Sequence, residues 1–462
     1  MLKEKKEFLV LSLVGYAVLF LMAVLFFKER LNIDTSYYFY KTLNKQHFHI
    51  EHDRLVLAIA ELPLLLGNYL NASLKAIAIA YSVWHVLFFF LFGFLLSWRY
   101  KNNYYLLLFL LLQLVGIVFG FLCPIFEQYY GTAMLAAFYI ILRNAKQINF
   151  VNGILLFMLA FFAVTSHPFN LILFTLLLVL DFTYRKNKWL LISFLAMIPV
   201  YLVFKIFHVS EYEKGKVNWI FDIVNNKTYL KLFELSHWKL HIQFLFQNYK
   251  EVLIAYILFT ILVLTQKLYK QLIIVWVFFI GTVLLINFSY AVTVYSGYIE
   301  QVCYLIVPIV FIPLFADILP AVKNKIIIVS FLILSGVCIS YRFYIQYNKA
   351  KEYTQKTARV TQWIEDARKS KSCKSFVFFE KYNDINTMIG WDISYSSIIY
   401  SAFDKNEMLV TIVPLEDNNT KELDAIPPAD YLFRYGEVEK IQTMNKKYFK
   451  LCDDTSYKNL YP

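Results

Sequence analysis

Three histidines, two acids and an arginine crowd into His47-Phe-His49-Ile-Glu51-His52-Asp53-Arg54, and ahead of them stands Asp34, in Asn32-Ile-Asp34-Thr-Ser-Tyr37-Tyr38. A carboxylate in such a loop can take a proton from a hydroxyl. A guanidinium followed at once by the apolar run Leu55–Gly67 suits two-point binding of a phosphate. Plainer uses compete with these. An aspartate at the edge of an apolar stretch is as often merely solvated, and a His-x-His without a placed third ligand is a weak metal signal.

Further candidates follow along the chain. Glu127 is the single acid in Cys123-Pro-Ile-Phe-Glu127-Gln-Tyr-Tyr, and Glu300 enters the apolar segment Tyr298–Pro308 beside Gln301 and ahead of Tyr304. A carboxylate at a membrane boundary is costly without a partner. For Glu127 that partner is a substrate, a cation or Arg54. His167 occupies the turn Ser166-His167-Pro168, where a histidine is more often a helix cap than a catalyst. The five cysteines occur singly, with no C-x-x-C and no zinc-site spacing, so no metal centre is expected from them.

The elements that must hold these residues are read from hydropathy. The 462 residues are 59% hydrophobic and only 17% charged, against about 25% charged in soluble chains. Apolar residues gather in blocks of roughly 17 to 25, the length of helix that crosses a bilayer core. The pattern predicts an all-α polytopic membrane protein of about eleven transmembrane helices with a small C-terminal α/β soluble domain. The spans fall at Phe8–Phe27, Leu74–Trp98, Tyr104–Leu122, Tyr130–Leu142, Phe150–Thr165, Phe169–Phe182, Trp189–Phe207, Val252–Thr265, Leu272–Phe288, Tyr298–Ile318 and Ile326–Tyr341.

A net charge of +12 could suggest a nucleic-acid binder, but the Lys and Arg residues lie in short clusters between apolar blocks. All of those clusters fall on one side, which makes that side cytoplasmic and excludes a concentrated phosphate-binding face. The N-terminus is then cytoplasmic, and the loops 28–73 and 208–251 lie outside. An odd number of spans places the tail outside as well. The transmembrane part covers residues 1–345 and the soluble extracytoplasmic domain 346–462. Arg342 reads as a flanking charge at that boundary. The tail offers a basic amphipathic helix Lys349–Lys369, a strand-like Ser375–Phe379, a helical Ile393–Phe403, a second strand-like run Met408–Val413, and Pro427-Pro428 before two last short strands. Cys373 and Cys452 could pair there in an oxidising compartment.

With its span plan, Asp34 with Tyr37 and Tyr38 after the first span, Glu127 in the second outer loop, and Tyr298–Pro308 near the end, the chain resembles GT-C class glycosyltransferases over residues 1–345. These are multispanning enzymes that take sugar from a polyprenyl-phosphate carrier. Two positions depart from that pattern: Thr35 replaces the acid that usually accompanies the loop aspartate, and Gln301 replaces the arginine of the late segment.

The resemblance implies inverting transfer from a lipid-linked sugar to a glycan or lipid acceptor at the outer face of a plasma membrane, here read as a bacterial inner membrane. Asp34 is the implied general base, and Glu127 orients the acceptor or helps hold a divalent ion if one is used. His52, Asp53, Arg54, Tyr37, Tyr38, His167, Glu300 and Tyr304 are the implied substrate-binding residues. No nucleic acid is involved. Two alternatives stay open: a polysaccharide polymerase or ligase, and a lipid-sugar flippase or transporter. The first relies on outer-loop arginines, which residues 208–251 lack. The second would place ionisable residues midway through spans.

Overall fold

The computed structural model describes residues 6–145, 148–207, 234–289, 297–379, 392–404, 407–416, 431–434, 437–440, 444–451 and 456–461, with parts of 214–230. The chain is mostly helical. It opens with α1 (Lys6–Leu25), α2 (Asp34–Lys45), α3 (Val56–Tyr69), α4 (Leu74–Tyr100), α5 (Tyr104–Leu114), α6 (Phe119–Leu122) and α7 (Glu127–Asn144). Helices Phe150–Ser166 and Asn170–Arg185 then pack on α7. Val10, Val14 and Leu21 of α1, like Ile326, Val329 and Ile333 near the end of the bundle, turn apolar side chains outward. Such surfaces are stable against lipid and not against water.

Among the described residues, six helices are long and apolar enough to cross a membrane, or up to seven if a bent pair counts as one span. They are Lys6–Leu25, Leu74–Tyr100, Lys188–Phe207, Tyr269–Asn287, Ile299–Ala321 and Lys325–Lys369, with Trp238–Asn248 and Lys250–Thr265 meeting at 88° as the pair. This corrects the expected eleven.

Four expected spans fail for physical reasons. The run Tyr104–Leu122 breaks after Leu114, where Gly116 takes a φ of 73° that a side chain would strain. Phe150–Ser166 has 17 residues and Asn170–Arg185 has 16. Helix α7 carries Glu127 and Gln128 in its first turn and Arg143 and Asn144 in its last, with three tyrosines between, so its apolar stretch is too short to cross by composition. Its Gly131 lies so close to Ser166 and Asn170 that a Cβ would collide with both. Apolar run length in the sequence does not separate a core helix from a crossing one. A count of six or seven also no longer fixes the side of the tail by parity.

The helix Lys325–Lys369 runs 45 residues without a break, roughly 68 Å at 1.5 Å per residue. Asn324 caps it by accepting from the N–H of Ile326 at 2.9 Å. The helix passes straight through the expected 345/346 boundary. Its first half faces outward, and its second buries Tyr353, Val360, Trp363 and Ile364. Arg342, expected as a flanking charge, is instead buried, with Nη2 donating to Glu251 at 2.6 Å and to the Asn248 carbonyl at 2.7 Å.

Beyond this helix, β1 (Lys374–Phe379) is the centre of a parallel three-stranded sheet between β2 (Thr411–Glu416) and β5 (Lys458–Asn459). In that register Lys374 stands opposite Thr411 and Phe379 opposite Glu416. A hairpin, β3 (Tyr431–Arg434) with β4 (Glu437–Lys440), is antiparallel. The helix Ile393–Ser401 packs on both β2 and α2, so the small α/β part rests against the first loop. Cys373 is disulfide-bonded, and Cys123, Cys303 and Cys338 are free. Cys452 and Pro427-Pro428 lie outside the described residues.

Candidate functional site

The loop between α1 and α4 folds into two helices, and Asp34 is the first residue of α2. Ile33 just before it has φ 49° and ψ −121°. That conformation is a genuine outlier for a β-branched residue, and such strain persists only where the surroundings enforce it. Among the described residues no hydrogen bond or ion pair engages the Asp34 carboxylate, which is half-buried. Burial is the first cause that raises its pKa to about 7. Glu127, Glu51 and Asp392 add repulsion, and Arg54 opposes them.

Arg54 arrives by a tight turn. His52 and Asp53 both take left-handed φ values, 54° and 55°, and the Arg54 N–H closes onto the Glu51 carbonyl at 3.1 Å. Its guanidinium donates from Nη1 to Glu127 Oε1 at 2.8 Å, and Gln301 Nε2 donates to the other carboxylate oxygen at 3.4 Å. Of the three partners left open for Glu127, Arg54 is the one in place, and Gln301 also reaches the carboxylate across the fold. Lys205 Nζ donates to the His52 carbonyl at 2.6 Å, bringing a second cation to the turn. His167 lies near Arg54. Burial and that charge hold its pKa well below the usual histidine value. Its Nδ1 accepts from the Phe169 N–H at 3.3 Å, so in the neutral ring the proton sits on Nε2.

Beside Asp34, Tyr37 donates to Glu51 Oε1 at 2.6 Å and meets His49 Nε2 at 3.0 Å, while Tyr38 donates to Glu51 Oε2 at 3.3 Å. Thr35, which stands where the accompanying acid was expected, donates to Cys123 Sγ at 3.2 Å. Below them Glu61 of α3 is fully buried. Burial first raises its pKa to about 8, and the His49 N–H holds it at 2.7 Å.

Asp34, Tyr37, Tyr38, Arg54, Glu127 and His167 thus converge, with His52 and Asp53 forming the turn that delivers Arg54. Glu300 and Tyr304 stand in the interior. Glu300 accepts from the backbone N–H groups of Val118, Phe119 and Gly120 at 2.7 to 2.8 Å and from Tyr129 at 3.0 Å. Tyr304 donates to the Leu112 carbonyl at 2.7 Å. Glu300 thus holds the broken segment 115–122, and Tyr304 ties its helix to the last turn of α5. Among the described residues no group of three or more His, Cys, Asp or Glu side chains is arranged to hold a metal ion.

Sequence reasoning missed Lys356 and Asp392. These form a buried ion pair at 2.9 Å, contacting the backbone and side chain just before Asp34. Asp392 ahead of a helical run is a start signal, but nothing in its spacing points to Lys356. Glu61 was missed too, although as the lone acid of the run Leu55–Gly67 it could have been singled out.

Comparison with protein-family models, with curated proteins and with solved structures returns no match.

Proposed function

We propose that this chain is a membrane glycosyltransferase that moves a sugar from a polyprenyl-phosphate carrier to a hydroxyl acceptor, with Asp34 as general base. The observation that carries the reading is the state of Asp34: a half-buried carboxyl, unengaged by described partners, with a pKa near 7, beside the Arg54–Glu127 pair. A base works best when its pKa lies near the operating pH. The GT-C resemblance supplies the substrate class.

In this reading the acceptor hydroxyl gives its proton to Asp34 as its oxygen bonds to the anomeric carbon. The bond from that carbon to the phosphate oxygen breaks on the opposite side, leaving polyprenyl phosphate and an inverted linkage. Arg54, Lys205 and the Nε2–H of His167 stabilise the charge growing on the phosphate. Tyr37, Tyr38 and Glu51 frame the acceptor side. The site faces outside the cytoplasm, which the one-sided basic clusters and the disulfide at Cys373 support.

The test is consumption of polyprenyl-phosphate sugars by proteoliposomes. Asp34→Asn keeps the shape and removes the proton acceptor, so turnover should fall by a factor on the order of 10² to 10⁴. Near-normal turnover in the variant would remove Asp34 from the mechanism.

A further inference from the structure

Asp34 follows the strained Ile33, and what enforces that strain comes from the far end of the chain. Asp392 Oδ2 accepts the Ile33 N–H at 3.1 Å, and Lys356 Nζ donates to Asn32 Oδ1 at 2.6 Å. Lys356 also donates to both Asp392 oxygens, at 3.2 and 2.9 Å, and Ser396 donates to Oδ2 at 3.4 Å. Both charged side chains are almost wholly buried, Lys356 at 6% and Asp392 at 1% exposure.

On the other flank of Asp34, Thr35 is tied to Cys123 and Ser36 donates to the Ile33 carbonyl at 2.9 Å. The contact repeats along α2: Tyr395 meets Tyr37 and Tyr40 edge to face or tilted, at 5.5 and 5.2 Å. Asn445 donates to Asn44 and to the Leu43 carbonyl at 2.6 and 2.8 Å. A buried ion pair is a poor source of net stability. Its geometry here is spent on two adjacent loop residues.

We propose that Lys356 and Asp392 are positioning residues, through which the tail holds Asn32 and Ile33 in the conformation that presents the Asp34 carboxylate. The inference rests on the reading of Asp34 as base, but the arrangement has a consequence that does not depend on catalysis. The Ile33 amide is protected from solvent exchange only while the tail is seated. Lys356→Met and Asp392→Asn each leave a buried group uncompensated. The double variant Lys356→Met with Asp392→Leu removes both charges together, so the fold is retained.

Two readouts on full-length protein in lipid separate the claims. Hydrogen exchange over residues 31–36 should quicken at least tenfold in the double variant, while exchange in α4 stays unchanged. In proteoliposomes supplied with polyprenyl-phosphate sugar, kcat should fall by about 10²-fold, the order set by a misplacement of about 1 Å, with little change in KM. Lys356→Arg, which keeps the charge, should recover part of kcat. Unchanged exchange over 31–36 overturns the positioning claim whether or not sugar is consumed. Quickened exchange with normal kcat overturns it as well. Quickened exchange in the double variant, where the wild type itself consumes no lipid-linked sugar, keeps the clamp and removes the glycosyltransferase reading.

Discussion

The two ends of α7 carry charge differently. Where the helix ends, Arg143 donates from Nε to Asp317 at 2.8 Å, lies 3.7 Å from Asp181, and stacks on Tyr184 at 3.6 Å. Asp181 is also paired with Arg185 at 3.0 Å, and Tyr139 donates to Asp317 at 2.5 Å. Each acid there has a cation in reach. Where the helix begins, Glu127 is satisfied by Arg54 and Gln301, but Asp34 beside it has no such partner among the described residues. A closed cluster holds helices together, whereas an open one keeps a carboxyl ready to exchange a proton.

The difference can be broken from either side. Arg143→Met strands Asp317, and stranding a buried charge costs about 3–5 kcal/mol. Its melting temperature in detergent should fall steeply, while turnover per folded molecule is kept. Arg54→Gln removes the cation from Glu127 and should also lower melting, but here turnover per folded molecule should drop roughly 10²-fold as well, as loss of one stabilising donor commonly gives. Equal damage from both variants in both assays would erase the distinction.

Asp34→Asn sharpens the comparison through stability. The folded pKa of Asp34, near 7, lies above the ordinary 3.8. Its neutral form is therefore the one the fold prefers, and the wild type loses stability as pH rises from about 4 through 7. Asparagine does not ionise, so the variant should melt above the wild type, by more at pH 8 than at pH 5. The gain is roughly 1–3 kcal/mol once partial exposure is discounted. A wild type more stable than the variant at pH 8 would mean that the charge is welcomed there.

How far this was legible in sequence follows the same division. Asp34, Arg54 and Glu127 stood out because polar residues at the edges of apolar runs are conspicuous, and the fold brings them together. Glu300 and Tyr304 stood out for the same reason, yet Glu300 serves the backbone of 118–120 and Tyr304 that of Leu112. An acid entering an apolar segment looks alike whether it awaits a ligand or caps broken helix. The tail's strand β1 and the helix at Ile393 were readable from local pattern. The clamp from Lys356 and Asp392 was not, because no local pattern ties it to Asn32. The span count failed where apolar runs are broken, as after Leu114, or end in helices too short or too polar at their ends to cross.

Proton acceptance by Asp34 is read out by the pH dependence of kcat/KM for lipid-linked sugar consumption in proteoliposomes. Activity should rise with pH on a limb centred near 7, the folded pKa of Asp34, and level off above it, the limb being absent from the residual activity of Asp34→Asn. A profile flat from about pH 5 to 8, or the same limb surviving in the variant, would contradict it.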